Sequence, residues 1–297
     1  MNRFNTSSKF NLHLLMHFVV ILFGFTGIFG ALTDIDSVQL VWYRMSLAAI
    51  GVFLASIWIK DEKGGITNSI RSQLLGIGII VAAHWIAFFE AIEQSNVSIT
   101  LICLSSASFF TALLEPLFHN KKIKFYELIL GTLVIGGVWM IYKVESIYKI
   151  GIILSIIAAI LASLFTVLNS LLLNKVSSLT ITKYEMIGGV VTITLYLLLS
   201  NKTWVNPIEI PMDQVIYILL LGLLCTAFAF IASIYVMKEL SPFTVALTIN
   251  MEPVYGIILA LLILGDEEKM SAGFYLGGII IILAVISDAI IKKKTKG

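Results

Sequence analysis

The chain is poor in charge. Asp, Glu, Lys and Arg make up 13% of its 297 residues, about half the share in a soluble domain. So little charge cannot cover a water-facing surface of this length, which excludes a soluble globular protein. Proline is scarce at five residues, and polar low-complexity tracts are missing, which excludes a disordered chain. The two cysteines, Cys103 and Cys225, both fall in apolar runs. They form no disulfide framework and no metal-ligand spacing, and read as free buried thiols. The single dense basic run, Lys292 to Lys296, is too short for a nucleic-acid-binding face. No aspartate lies at the centre of an apolar run. No H-E-x-x-H, P-loop or Rossmann glycine pattern occurs. No metal, no cofactor and no nucleotide-driven domain are therefore expected.

What the chain has is apolar length. A membrane helix needs roughly 20 apolar residues to cross about 30 Å of hydrocarbon. Ten such runs are read near 12–33, 37–59, 73–92, 97–118, 126–142, 150–173, 184–200, 214–236, 243–264 and 272–291. The first is too long for a signal-peptide core and lacks an A-x-A site, so it is read as a retained helix. With the N-terminus in the cytoplasm, fifteen of the twenty Lys and Arg fall in inner segments, four in outer segments, and Arg44 inside a span. The positive-inside rule then puts both termini in the cytoplasm.

The two halves also match. Gly76 pairs with Gly222, Glu93 with Glu239, Ser95 with Ser241 and Leu130 with Leu276, all 146 positions apart. A unit of five helices is odd in number, so its second copy must enter the membrane inverted. Inverted repeats are a construction of secondary transporters, with the substrate site at mid-depth between the copies. The fold expected is all-α integral membrane, ten transmembrane helices in two inverted five-helix repeats, 12–142 and 150–291.

At this point the chain resembles a known family. The two matched units, the run "PVYGIILALLILGDE" after Glu252 and the "LGG" helix that follows are similar to the drug/metabolite transporter superfamily, EamA-like branch. The resemblance covers essentially the whole chain. It implies a ten-helix transporter, often an exporter of amino acids or other metabolites, with a cavity lined mainly by helices 1, 3, 4, 6, 8 and 9. It also implies a bacterial inner-membrane location, and a homodimer is compatible with it. The chain departs from the family pattern in having Ser105, Ser106, Ala107 and Ser108 where helix 4 often has a proline, and "HNKKIK" where a Gly-Glu is common.

Ionisable groups inside a membrane cost at least roughly 2.5–3.5 kcal/mol each, so each needs a reason. Glu252, near the middle of the ninth run, has no route to an interface. Pro253 cannot donate to the Ile249 carbonyl, which would free that oxygen beside Asn250 and Glu252. In the repeat frame Glu252 matches Ser106, so Ser106 is its counterpart in the first half. Glu115, in the second Glu-Pro pair, is not a repeat mate. It lies about one turn from the inner end of helix 4, within reach of Lys121 or Lys122. His84, Trp85 and Phe88 form an aromatic turn at the centre of helix 3, suited to a cavity wall, and Tyr235 adds a hydroxyl on helix 8. Glu252 and His84 are the candidates for proton coupling. Arg44 is read as snorkelling outward or pairing with an acid such as Asp36. Glu185 is read as an anchor near the inner end of helix 7, and Glu90 as an entrance group near water.

A secondary transporter of a small organic solute, working in a lipid bilayer by alternating access, is the leading reading. The rival is an intramembrane enzyme acting on a lipid or small molecule, which would need a nucleophile and base, paired aspartates or a metal motif.

Overall fold

The computed structural model describes residues 6–59, 66–119, 125–172, 175–200, 205–206, 208–237 and 248–296. Among these there is no strand. The helices are α1 (Thr6–Ala31), α2 (Ser37–Trp58), α3 (Asn68–Glu93), α4 (Val97–Leu104), α5 (Ala107–His119), α6 (Phe125–Val144), α7 (Lys149–Leu172), α8 (Ser178–Leu199), α9 (Met212–Leu219), α10 (Ala229–Met237), α11 (Glu252–Ile263) and α12 (Ala272–Lys296). A π-helical stretch, Leu220–Phe228, joins α9 to α10. Among the described residues, eight helical segments are long and apolar enough to cross a membrane. Two shorter apolar stretches, Glu252–Ile263 and Ala272–Ser287, follow them. The chain is a multi-pass membrane protein.

Capping explains several starts. Asn96 Oδ1 accepts from the Ile99 amide at 2.9 Å ahead of α4, and Ser177 Oγ from the Thr180 amide at 3.2 Å ahead of α8. Each satisfies a backbone donor that has no helical partner. The Ser177 cap starts α8 six residues before the boundary at 184 expected from hydropathy. Glu185 consequently lies seven residues into its helix, about 10 Å along the axis, instead of at its end.

Three expected helices are interrupted. The run 97–118 breaks at Ser105 and Ser106, whose hydroxyls donate to the Ile102 and Cys103 carbonyls, both at 2.6 Å. Those carbonyls lie three residues back, so the hydroxyls favour a tight turn over a continued α-helix. In the ninth run the Met251 amide donates to the Thr248 carbonyl at 3.0 Å, and α11 starts at Glu252. Pro253 therefore sits in a first turn, where its missing N–H costs no helical bond. The expected continuous helix with a proline-freed Ile249 carbonyl is replaced by a break followed by a fresh helix start. In the eighth run Thr226 Oγ1 donates to the Leu221 carbonyl, five residues back, at 2.8 Å, within the π-helical stretch.

Around these breaks, α3 packs on α7 and α8, while α2 packs on α8 and the π stretch. Helix α1 packs on α10 and α11, α4 on α7 and α11, and α6 on α12. Glycines set the closest approaches. A Cβ on Gly78 would strike the Glu185 carbonyl oxygen, and one on Gly188 the Leu75 carbonyl oxygen. On Gly24 it would come within 3.1 Å of the Gly256 Cα. Without a hydrophobic drive between helices in lipid, such close backbone contact supplies much of the attraction.

One end of the bundle is tied by polar groups. Buried Glu268 accepts from the Val97 and Ser98 amides at 3.0 and 2.8 Å, closing the start of α4. Gln214 Nε2 donates to Asp34 at 2.7 Å, and the Val205 amide to Gln39 at 2.8 Å. Ser37 Oγ lies 3.2 Å from Glu90 and 2.8 Å from Glu93, and has one proton to donate between them.

Candidate functional site

The α4–α5 break and the break before α11 open on a cavity of about 520 Å³, within the size range of small-molecule sites. Its aromatic wall comes from α3 and α7. His84 Nδ1 lies 2.8 Å from the Ala158 carbonyl. A carbonyl can only accept, so Nδ1 carries a proton and Nε2 makes no hydrogen bond among the described residues. The His84 ring stands 5.5 Å from Phe165, 6.4 Å from Phe88 and 6.5 Å from Trp85. Phe23 and Phe230 supply further apolar lining.

Polar groups line the cavity from several elements, Thr26 of α1 and Ser233 of α10 among them. Ser105 and Ser108 flank the α4–α5 break, and Asn250 and Glu252 flank the start of α11. Ser108 Oγ donates to Asn250 Oδ1 at 3.1 Å, bridging the two interruptions. Asn169 on α7 and Glu185 on α8 line the cavity together. Asn169 Oδ1 and Glu185 Oε1 are buried without a hydrogen-bond partner among the described residues. Arg44 of α2 also lines it. The cavity continues to Thr182 and Ser178 at the start of α8, away from the end tied by Glu268.

Arg44 differs from its expected role. It neither snorkels nor pairs with Asp36. Its side chain is 2% exposed, and its guanidinium carbon lies 4.0 Å from the Trp85 ring centre and 5.7 Å from that of Phe89. Nε donates to Thr226 Oγ1 at 2.8 Å. A desolvated cation–π contact of about 2 kcal/mol and a charge-assisted hydrogen bond of about 1.5–3 kcal/mol together offset a membrane insertion cost of roughly 2.5–3.5 kcal/mol. The physical reason is local. Gly51 and Gly222 let α2 approach the π stretch closely, against Ala227 and Leu47, and bring Thr226 within reach of Arg44.

Of the other sequence candidates, His84, Trp85, Phe88, Asn250 and Glu252 line the cavity. Ser106 does not: it is buried with its hydroxyl on the Cys103 carbonyl, and its neighbours Ser105 and Ser108 face the space. Glu115 lies on α5 outside the lining, and Lys121 and Lys122 fall outside the described residues. Glu90 belongs to the tied end, where it also accepts from Gln94 at 3.2 Å. The Tyr235 side chain lies outside the described residues. Sequence reading missed Glu185, Asn169, Ser108 and Phe165 as cavity residues. A signal existed for Glu185 in Ser177 and Ser178, a helix-start pattern that moves it inward. Among the described residues no three His, Cys, Asp or Glu gather to hold a metal.

A polytopic helical bundle enclosing a polar-spotted cavity at its helix breaks is the construction of a membrane transporter. The chain belongs to the EamA-like transporter family, whose profile matches residues 11–143 and 149–287. An uncharacterized transporter of Archaeoglobus fulgidus is 24% identical over 285 residues, covering 92% of this chain and 95% of that one. A second, of Bacillus subtilis, is 21% identical, covering 93% and 88%. One solved crystal structure superposes with a TM-score of 0.64 at 12% identity, over 93% of this chain and 96% of the other, which is a likeness of fold. The family and these relatives point to a transporter and not to an enzyme.

Proposed function

We propose that the protein is a secondary transporter, exporting a small organic metabolite such as an amino acid by alternating access between two inverted five-helix repeats, 12–142 and 150–291. The carrying observation is the pair of helix interruptions. One falls at Ser105 and Ser106 and the other at Met251 and Glu252, 146 positions apart. Both open on the same cavity. Interrupted helices at corresponding positions of two halves are the feature by which repeat transporters build a midplane site. Packing supports the reading. With α1 matched to α7 and α3 to the α9–α10 run, the α3–α7 contact has its counterpart in the contact of α1 with α10. The family match, divided into two ranges of similar length, supports it further.

In this reading the Glu268 end faces outward, the cavity faces the cytoplasm, and both termini are cytoplasmic in a bacterial inner membrane. Orientation is tested by single cysteines at Ser69 and Asn206, both exposed, against a background of two buried native thiols. An impermeant thiol reagent applied to intact cells should label position 206 and spare position 69. The reverse pattern would invert the topology.

Function is tested in proteoliposomes loaded with amino acids, amines or nucleosides, with and without an imposed pH gradient. Counterflow of at least one class, and accumulation when the gradient is present, is the expected result. Conversion of a solute to a new compound without accumulation would remove the transporter reading.

A further inference from the structure

Arg44 is a buried cation whose donors are not all used. A guanidinium has five N–H groups in a rigid fork. Nε is committed to Thr226 Oγ1, and Nη1 is buried with no acceptor among the described residues. Thr226 fixes the orientation of the group. Its single hydroxyl proton goes to the Leu221 carbonyl, so its oxygen can only accept from Arg44. Trp85 fixes the plane from one side. Glu252 lines the same cavity. A guanidinium held in this way, on the wall of a cavity, has donor capacity that no described residue fills and is prepared for an anionic partner.

We propose that Arg44 is the receptor for the head group of the transported solute, a single carboxylate on an aromatic or apolar body. The proposal rests on the reading of this cavity as the transport site. A carboxylate matches the guanidinium fork in spacing and charge. The body then has a continuous surface to lie on, from Trp85 through the His84 ring to Phe165. Glu185 and Glu252 line the same space. They would repel a second carboxylate but tolerate an ammonium group, so monocarboxylates and zwitterions fit and dicarboxylates do not.

The test uses the full-length chain purified in detergent, and reads thermal stabilisation against concentration for four probes. These are phenylacetate and L-phenylalanine, and their uncharged-head counterparts phenylacetamide and L-phenylalaninamide. Each acid should half-saturate at a concentration roughly tenfold or more below its amide, the size of one charge-assisted hydrogen bond. Arg44→Gln should abolish the difference, and Arg44→Lys should reduce it, because an ammonium lacks the fork. Acids and amides binding alike, neither binding at millimolar concentration, or an acid preference unchanged in Arg44→Gln would each overturn the proposal. If Arg44→Gln does not fold, an undiminished preference in Arg44→Lys overturns it equally. Counterflow of the same four probes separates the two readings. Transport without acid preference removes the role of Arg44 and leaves the transporter. Acid-selective binding without any counterflow removes the transport reading and leaves Arg44 as an acid-binding group.

Discussion

Replacing Glu252 with Gln should abolish accumulation driven by a pH gradient while leaving solute counterflow in place. Gln keeps the shape and removes the group that can exchange a proton. The carboxylate sits in the first turn of α11, at the helix break, on the cavity wall. It shares the cavity with Arg44, so gaining or losing a proton there would alter the field at the proposed head-group site. The other titratable groups facing this space are His84, Arg44 and Glu185, and Glu185 is the competitor. It is more deeply buried, at 3% exposure, but lies further from the break in α11, beside Asn169. Glu185→Gln should therefore change apparent affinity more than gradient response. Glu115→Gln, outside the cavity lining, should leave both near wild type. Proteoliposome uptake with and without a gradient decides among the three. Gradient-driven accumulation surviving in Glu252→Gln and lost in Glu185→Gln would transfer the coupling role to Glu185.

Two glycines two residues apart on α3 should respond oppositely to a methyl group. A Cβ on Gly78 would collide with the Glu185 backbone, while one on Gly76 meets nothing within 4 Å. Gly76→Ala should be neutral or stabilising by up to about 1 kcal/mol, the helix-propensity gain. Gly78→Ala must push α3 and α8 apart, because a backbone carbonyl cannot rotate away as a side chain can. Overpacking typically costs about 1–3 kcal/mol, and Gly78→Ala should reach the upper end. It should also widen the cavity between Trp85 and Glu185, lowering transport beyond what the stability loss explains. Thermal unfolding of both variants in detergent measures the contrast, and equal midpoints would show that α3 and α8 are not in backbone contact.

The membrane-spanning runs were readable along the chain because hydrocarbon thickness is an external ruler. A run of about 20 apolar residues reports its own placement without reference to its neighbours. On the same ground Glu252 is read as deep, near the middle of the ninth run. Interruptions were harder. Ser105 and Ser106 are ordinary helix residues on a hydropathy scale, and only the local choice of their hydroxyls for carbonyls three residues back ends α4. Pro253 marks the second break, but it begins a helix there and does not bend one.

Arg44 and Glu185 mark the division most clearly. By sequence, Arg44 reads as snorkelling outward or pairing with an acid, and Glu185 as an anchor near a helix end. Reaching out to water or turning in to a cavity is a choice that position along the chain leaves open. Length along a helix cannot choose between them, because the choice depends on rotation about the helix axis. Rotation is set by which face packs, and here close contacts at Gly51, Gly78, Gly188 and Gly222 turn α2 and α8 toward the centre. The sequence by itself determined the membrane class and the apolar segments, because these follow from local transfer free energy. Only the tertiary structure decided that Arg44, Glu185, Asn169 and Glu252 share one cavity, because that requires helices distant in sequence to meet at particular faces.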